Sequence, residues 1–264
     1  MSASGPDESW PMIEETVFRL FDEIAGKGAE QHTAVGASLA ELGWSDIEAE
    51  YPIEACELLF RAQGRSLAHT DILNTVMLAE LNRLLDGPVD GIVLPGLADG
   101  YAPGSDTQRV AGIILGPLPS AGRLVVPVSG AMSTVSICIV DSDRLIGERM
   151  DTFDSSVFWT HVSGPIDSDL VDASTEWNLA IAAAHRALAT ELVALADQAL
   201  RLAVEHVRVR VQFGSPIGSF QSPRHLLADA SATLEGARAL LNESWKYGGG
   251  LSALTAKASA GRAH

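Results

Sequence analysis

An unbroken run without proline or glycine, from Asp172 to Val211, constrains the fold more than any other feature of the chain. Alanine and leucine are frequent in it, and both residue types favour helix over strand. At about 1.5 Å per residue, one helix of this length would span ~60 Å. Gly214, Pro216 and Gly218 then break the pattern. The run therefore predicts a single long helix.

Two more helices are predicted after this break. One runs from about Ser219 to Tyr247, and Gly248–Gly250 separates it from another that starts near Leu251. No stop signal precedes His264, so the last helix is expected to be still running where the chain ends. On this interpretation, a further segment is either missing or supplied from outside.

Helical periodicity also marks the N-terminal third of the chain. Apolar residues recur there at helical spacing, with acidic residues on the opposite face. Glycine and proline separate the periodic runs, and one run has proline in its first turn. The predicted helices are Ile13–Ile24, Val35–Leu42, Pro52–Gln63, with Gly64 beyond its end, and Asp71–Leu85.

Residues 88–170 have a different composition, rich in glycine, proline, valine, isoleucine and serine. Short apolar runs split by turn residues predict a small sandwich or open barrel. The predicted fold is mainly α with a small central β domain, divided into an N-terminal helical domain (1–87), a middle β domain (88–171) and a C-terminal antiparallel helix bundle (172–264). The predicted strands are Gly91–Leu94, Val110–Leu115, Arg123–Val128, Thr134–Val140 and Phe158–Ser163.

Charge and composition narrow the classes of partner. With 18 basic and 34 acidic residues the net charge is −16, which disfavours nucleic acid and anionic membranes as partners. Cys56 and Cys138 form no disulfide framework, and the seven histidines show no metal-binding spacing. The polar, acidic N-terminus does not resemble a signal peptide, so a cytoplasmic location is expected.

The segment Glu205–Asp229, which joins the two long predicted helices, is the most informative for function. Arg210 lies at the end of the first helix and Gln212 and Phe213 at the turn, while Phe220 and Gln221 open the second helix. Arginine and a helix N-terminus suit phosphate, and aromatic faces suit a planar ring. This corner therefore predicts a site for an anionic, planar ligand, although the same residues could simply cap and pack a helical hairpin.

This corner resembles the acyl-CoA dehydrogenase family. The family pattern is R-x-x-F-G-x-x-aliphatic, then a glutamine and a leucine-alanine-aspartate run, between two helices of the C-terminal bundle. His206 departs from it, since the family usually has tyrosine there. Weaker similarities lie at Gly64–Ala68 and Met150–Asp154. The residues that match the main pattern are Arg210, Phe213, Gly214, Ile217, Gln221, Leu227, Ala228 and Asp229.

The resemblance implies a cofactor and a partner. In the family, this corner reaches across a dimer interface to the adenine and pyrophosphate end of the neighbouring subunit's FAD. Carried over to this chain, it implies cofactor-binding roles for Arg210, Gln212, Phe213, Ile217, Phe220 and Gln221.

The resemblance also implies parts that the sequence does not supply. The family removes the α-proton of an acyl-CoA thioester with a carboxylate, in most members a glutamate beyond the point where this chain stops. Glu235 and Glu243, on the second long helix, are the candidates here, although exposed glutamates are ordinary on such helices. The loop Tyr101–Asp106 only faintly matches the family's loop beside the flavin ring. The catalytic residue is therefore unknown at this stage.

Together these features indicate a shortened subunit of a heteromeric acyl-CoA dehydrogenase. Such a subunit would complete the FAD site of a second acyl-CoA dehydrogenase subunit, in a heterodimer or heterotetramer. The substrate would be an acyl-CoA, and the family association suggests a bulky, steroid-derived one. The alternatives are a self-sufficient homomeric acyl-CoA dehydrogenase and a flavin-free scaffold subunit.

Overall fold

The computed structural model describes residues 9–26, 34–96, 103–154 and 157–263. Helices come first, strands follow and long helices end the chain, which confirms the predicted mainly α fold with a small central β region. Contacts divide the chain into two compact units. One contains residues 1–25, 43–68 and 185–264, and the other contains residues 26–42 and 69–184. The division into three domains stays a prediction.

The N-terminal helices begin close to the predicted positions, but their ends differ. Gly43, with φ of 68°, breaks the chain after α2, and the short helix α3 follows at once. Gly64 lies inside α4 and does not end it. A 3-10 turn at Asn82–Leu84 replaces the last predicted turn of α5. The helices are α1 (Trp10–Ala25), α2 (Ala34–Glu41), α3 (Trp44–Glu50), α4 (Pro52–Ser66) and α5 (Ile72–Leu81).

The strands between residues 91 and 172 form two sheets. One has the order β1-β3-β4-β7, with β1 and β3 parallel, and the other has the antiparallel order β2-β6-β5. The sequence did not predict β5, because its four residues are all exposed and lack an apolar alternation. The strands are β1 (Gly91–Ile92), β2 (Arg109–Leu115), β3 (Arg123–Ser129), β4 (Val135–Asp141), β5 (Ile146–Arg149), β6 (Trp159–Pro165) and β7 (Val171–Asp172).

The central strand β3 is buried on both faces. Leu124 and Val126 belong to a core that also contains Val110 of β2 and Val162 of β6, so the two sheets pack face to face as a sandwich. Val125, which points to the opposite face, belongs to a second core with helical residues. This second core includes Met77, Leu81, Trp177 and Ala180.

Three long helices follow the sheets: α6 (Ser174–Val209), α7 (Gln221–Tyr247) and α8 (Gly250–Ala263). Small side chains dominate their shared core, and small side chains let helix axes approach closely. The alanine content that predicted helix therefore also forms the packing surface. The buried members of this core are Ala189, Val193, Ala196, Leu234, Ala237, Leu241, Ala256 and Ala260.

By length and composition, α6 could cross a membrane, since an 18-residue window of it has a mean hydropathy of 1.5. More than half of that window, 56%, is buried inside the protein. Burial of this kind is typical of the core helix of a water-soluble protein, in which the apolar residues pack against neighbouring elements.

At Gly64, α4 comes close to the backbone of α6. A Cβ atom at this position would lie 2.2 Å from the backbone carbonyl oxygen of Glu191 and 3.0 Å from its carbonyl carbon. Backbone atoms cannot swing aside as a side-chain end can, so any larger residue must push the helices apart. Glycine inside α4 is therefore a requirement of helix packing.

Glu191 reaches back toward α4 from the same crossing. Its Oε2 accepts a hydrogen bond of 3.0 Å from Gln63 Nε2. Burial raises the pKa of Glu191 to about 7, while the hydrogen bond from Gln63 acts in the opposite direction. The carboxyl group therefore keeps its proton to a higher pH in the folded chain than an exposed glutamate does.

We predict that Gly64→Ala destabilises the chain by about 1–3 kcal/mol, because the added methyl overpacks a helix crossing. Gly236→Ala is the matched control: Gly236 lies within α7 and a Cβ there meets nothing within 4 Å. The control should stabilise the chain by about 0.5–1 kcal/mol through helix propensity alone. Urea unfolding followed by circular dichroism measures both, and equal effects of the two substitutions would contradict the proposed crossing.

We also predict a pH-dependent stability that originates at Glu191. Below the ordinary glutamate pKa of 4.5 the carboxyl is neutral in both the folded and the unfolded chain. Between that value and about 7, the folded chain retains a proton that the unfolded chain releases, so the free energy of unfolding falls as pH rises. The wild type should lose roughly 1–3 kcal/mol between pH 5 and pH 8 relative to Glu191→Gln. Parallel stability curves for the two proteins would refute this assignment.

Candidate functional site

The connection between α6 and α7 is a small hairpin. β8 (Val211–Gln212) pairs with β9 (Ser215–Pro216), and a 3-10 turn (Ile217–Ser219) leads into α7. The backbone N–H of Arg210 donates to the carbonyl of His206 at 2.9 Å. The carbonyl of Arg210 accepts from the N–H of Ile217 at 2.8 Å. Hydrogen bonds on both sides therefore fix the backbone of Arg210.

The turn of this hairpin has two central residues, Phe213 and Gly214, with φ values of 52° and 78°. Two successive left-handed residues are characteristic of the type I′ turn that matches the twist of paired strands. Gly214 adopts this conformation without strain, whereas a phenylalanine pays a steric cost. Phe213 is nevertheless 94% exposed, so burial of its own side chain does not offset that cost.

The hairpin brings the predicted cofactor-binding residues to one end of the helical bundle. The rings of Phe213 and Phe220 meet edge to face, with centroids 6.3 Å apart. Ile217 is half-buried, and Arg210, Gln212 and Gln221 are exposed together with the two aromatic residues. Gln212 lies in β8, whereas the sequence pattern placed it in the turn. The side chains thus face outward and can reach another molecule.

Apolar side chains surround this group. Val209, Val211 and Leu226, which are close in sequence to the two exposed phenylalanines, are all more than half exposed. Scattered apolar residues are normal on a protein surface, but a contiguous set marks an interaction site. Val209 is the last residue of α6, Val211 lies in β8 and Leu226 lies in the second turn of α7. The corner therefore has the composition of a surface that another molecule covers.

The chemistry of the corner fits the adenine and pyrophosphate end of FAD. Arginine binds phosphate oxygens with a planar fork of donors, and Arg210 forms no ion pair with the residues that the structure describes. Phe213 and Phe220 offer ring faces, and the N-cap residue of α7, Phe220, makes no side-chain capping hydrogen bond. The described residues at this end are thus compatible with a phosphate-bearing aromatic ligand.

The candidate catalytic carboxylates do not lie in a comparable site. Glu235 is exposed and paired with Arg238 at 2.5 Å, and Glu243 is exposed on α7. A general base needs a position beside the reacting carbon and a pKa tuned to its task. Neither side chain lines a cavity that the structure describes, and the catalytic residue remains unassigned.

The loop that faintly resembles the family's flavin loop has structural roles where it is described. Ser105 is buried and exchanges hydrogen bonds of 3.0–3.1 Å with the backbone of Ala111. Asp106 Oδ1 accepts from the backbone N–H groups of Gln108 and Arg109, each at 2.8 Å. Tyr101 and Ala102 lie outside the described residues. Both described polar side chains thus bind their own chain.

The sequence pattern did not single out Glu191, whose shifted pKa is the clearest of any carboxyl group in the described residues. The signal was present, because Glu191 interrupts an alanine-rich helical face beside Ala187 and Thr190. A charged residue in such a position is rarely buried unless it has a partner. Its hydrogen bond to Gln63 and its place at the α4–α6 crossing indicate a role in packing.

A comparison with known protein families finds a match in the C-terminal helices, on both sides of the hairpin. Residues 177–257, which contain most of α6, α7 and α8, match the family model "Acyl-CoA dehydrogenase, C-terminal domain". The acyl-CoA dehydrogenase IpdE2 of Mycobacterium tuberculosis is 28% identical over 260 residues, which cover 95% of this chain and 71% of IpdE2. The similarity to IpdE2 thus extends well beyond the C-terminal helices.

Solved structures share the fold. The ChsE4–ChsE5 complex from Mycobacterium tuberculosis gives a TM-score of 0.74 at 18% identity, covering 100% of this chain and 84% of the matched chain. A variant of the Tcur3481–Tcur3483 steroid acyl-CoA dehydrogenase gives a TM-score of 0.70 at 22% identity, covering 96% and 84%. The sequence of the C-terminal helices, the similarity to IpdE2 and the fold agree, and in all three respects the chain is similar to acyl-CoA dehydrogenases.

Proposed function

We propose that this chain is one subunit of an FAD-dependent acyl-CoA dehydrogenase and completes the flavin site of a partner subunit. The reaction is the α,β-dehydrogenation of an acyl-CoA thioester. The observation that carries the proposal is the exposed hairpin, which holds Phe213 in a strained conformation outside the protein's own core. Backbone strain of this kind is often found at functional sites. Because the Phe213 ring is exposed, its binding partner would be another molecule.

A second acyl-CoA dehydrogenase subunit fits this surface best. A subunit interface would bury the exposed apolar residues around the hairpin. In addition, no catalytic carboxylate is identified among the described residues of this chain. Two of the solved structures with this fold are paired assemblies, ChsE4–ChsE5 and Tcur3481–Tcur3483. The latter is described as a steroid enzyme, which supports a bulky, steroid-derived acyl group for this chain. The proposed location is the cytoplasm.

The residues of this chain would bind and orient the cofactor and leave the reacting atoms to the partner. Arg210 would pair with the pyrophosphate, and the amides of Gln212 and Gln221 would donate hydrogen bonds beside it. Phe213, Phe220 and Ile217 would pack against the adenine. Bound FAD supplies the hydride acceptor for the β-carbon of the substrate. The carboxylate that removes the α-proton would belong to the partner.

The visible absorption spectrum of the tagged chain, purified from its native host, tests the proposal. Flavin bands are expected only in fractions in which a second, larger chain co-elutes. Flavin on this chain alone would overturn the shared site in favour of a homomeric enzyme. Absence of flavin from both fractions would contradict a flavin role and leave a scaffold.

We predict that Arg210→Ala lowers the flavin content of the assembly about tenfold or more at limiting FAD, because a charge-assisted hydrogen bond contributes roughly 1.5–3 kcal/mol. The unfolding midpoint of the chain itself should not change, since the side chain is exposed. Arg208→Ala is the matched control: Arg208 is also exposed, in the last turn of α6. Equal flavin loss in both variants would mean that general charge, not this position, attracts the cofactor.

Phe213→Gly separates stability from function at the same turn. Glycine relieves the left-handed strain, so the free energy of unfolding should stay constant or rise by about 1 kcal/mol. Flavin retention by the assembly should fall, because the exposed ring is gone. Chemical unfolding and flavin absorbance measure the two effects on the same preparation. If the assembly keeps its full flavin content, Phe213 does not contact the cofactor.

A further inference from the structure

A second candidate site lies within the helical unit, away from the hairpin. Residues of α1, α4, α6 and α7 line a cavity of about 430 Å³. This volume lies within the range of roughly 300–1,000 Å³ that is typical of small-molecule sites. Val193, Ala194 and Leu241 provide apolar lining, and Phe18 contributes an aromatic ring. The cavity shares no residue with the hairpin corner.

The charged lining consists of four arginines from three helices and two carboxyl groups, those of Glu57 and Asp197. Arg61 and Arg65 come from α4, Arg201 from α6 and Arg238 from α7. Arg61 pairs with Glu14, and Arg238 pairs with Asp197 and Glu235. These acidic partners already neutralise two of the four guanidinium groups.

The other two arginines, Arg65 and Arg201, form no ion pair in the part of the chain that the structure describes. The Arg65 guanidinium lies 4.5 Å from the centroid of the Phe18 ring, which positions it at the cavity. Arg201 Nη2 donates to Gln198 Oε1 at 2.5 Å, a neutral partner. The cavity therefore holds two positive charges without acidic partners.

This concentration of charge runs against the composition of the chain. Acidic residues outnumber basic ones by 34 to 18, so the average surface repels anions. At this cavity four arginines face two lining carboxyl groups, so basic residues outnumber acidic ones locally. Guanidinium groups bind phosphate with paired, directional hydrogen bonds. Two of them without acidic partners match the double charge of a phosphate monoester near neutral pH.

We propose that this cavity binds a phosphate monoester of mononucleotide size or smaller. Arg65 and Arg201 hold the phosphate, and the apolar lining with Phe18 contacts the organic part. The site differs from the flavin corner in residues and position along the helices. Phosphate binding at this cavity does not depend on the proposed dehydrogenase role.

Isothermal titration calorimetry of the full chain with adenosine monophosphate, at physiological ionic strength, tests the proposal. Salt at this concentration screens attraction to exposed charges, so saturable binding reports a built site. Adenosine is the matched ligand without phosphate and should bind at least tenfold more weakly. Equal binding of the two ligands, or no saturable binding of adenosine monophosphate, would overturn the proposal.

Variants of the chain locate the site. Arg201→Gln and Arg65→Gln should each weaken adenosine monophosphate at least tenfold. Arg262→Gln, an exposed position on α8 that does not line the cavity, should leave affinity within twofold. Should loss of the Arg65–Phe18 contact impair folding, the Arg201 variant still decides, because that side chain is exposed and its hydrogen-bond partner is neutral.

Asp197→Asn provides a test of opposite sign. Asp197 lines the cavity and pairs with Arg238, so the asparagine removes one negative charge from the lining while Glu235 stays paired with Arg238. Affinity for adenosine monophosphate should increase severalfold. A purely structural role of these residues predicts no gain, and a decrease in affinity would contradict the electrostatic argument.

Discussion

The packing of alanine against alanine among α6, α7 and α8 is the constraint on which the rest of the helical unit depends. Ala189, Ala237 and Ala256 are fully buried at this junction. Side chains this small leave no room for adjustment, because neighbouring helix surfaces must meet almost backbone to backbone. The middle part of α6 is therefore held against α7 and α8. Gly64 allows a similarly close approach of backbones where α4 crosses α6.

Much of the fold could be predicted from the sequence, because its signals were local. The absence of glycine and proline from 172 to 211 predicts α6 nearly to the residue. Local sequence signals gave wrong or missing predictions where tertiary packing determines the structure. Gly64 was interpreted as a helix end, although the carbonyl of Glu191 explains why a glycine lies inside α4. β5 was not predicted at all, because it is held by pairing with β6 while its side chains face solvent.

For the candidate site, the residue types were predictable and the geometry was not. The motif around Arg210 and Phe213 indicated the resemblance to acyl-CoA dehydrogenases, and its ligand class stays a prediction. No feature of the amino-acid sequence predicted that Phe213 adopts a left-handed conformation or that its side chain is 94% exposed. The arginine-lined cavity was invisible for a different reason: its residues come from distant parts of the chain, and only folding brings Arg65 and Arg201 to one space.

The two-residue turn of the hairpin also limits how the α6–α7 connection can evolve. Val211 pairs with Pro216 and Gln212 with Ser215, so the register of both strands depends on the length of the turn. One inserted residue would shift that register and send alternate side chains to the opposite face. It would also change the angle at which the chain enters α7. Strand pairing therefore constrains the length of this turn, and an insertion here would disturb the hairpin more than a substitution at most of its positions.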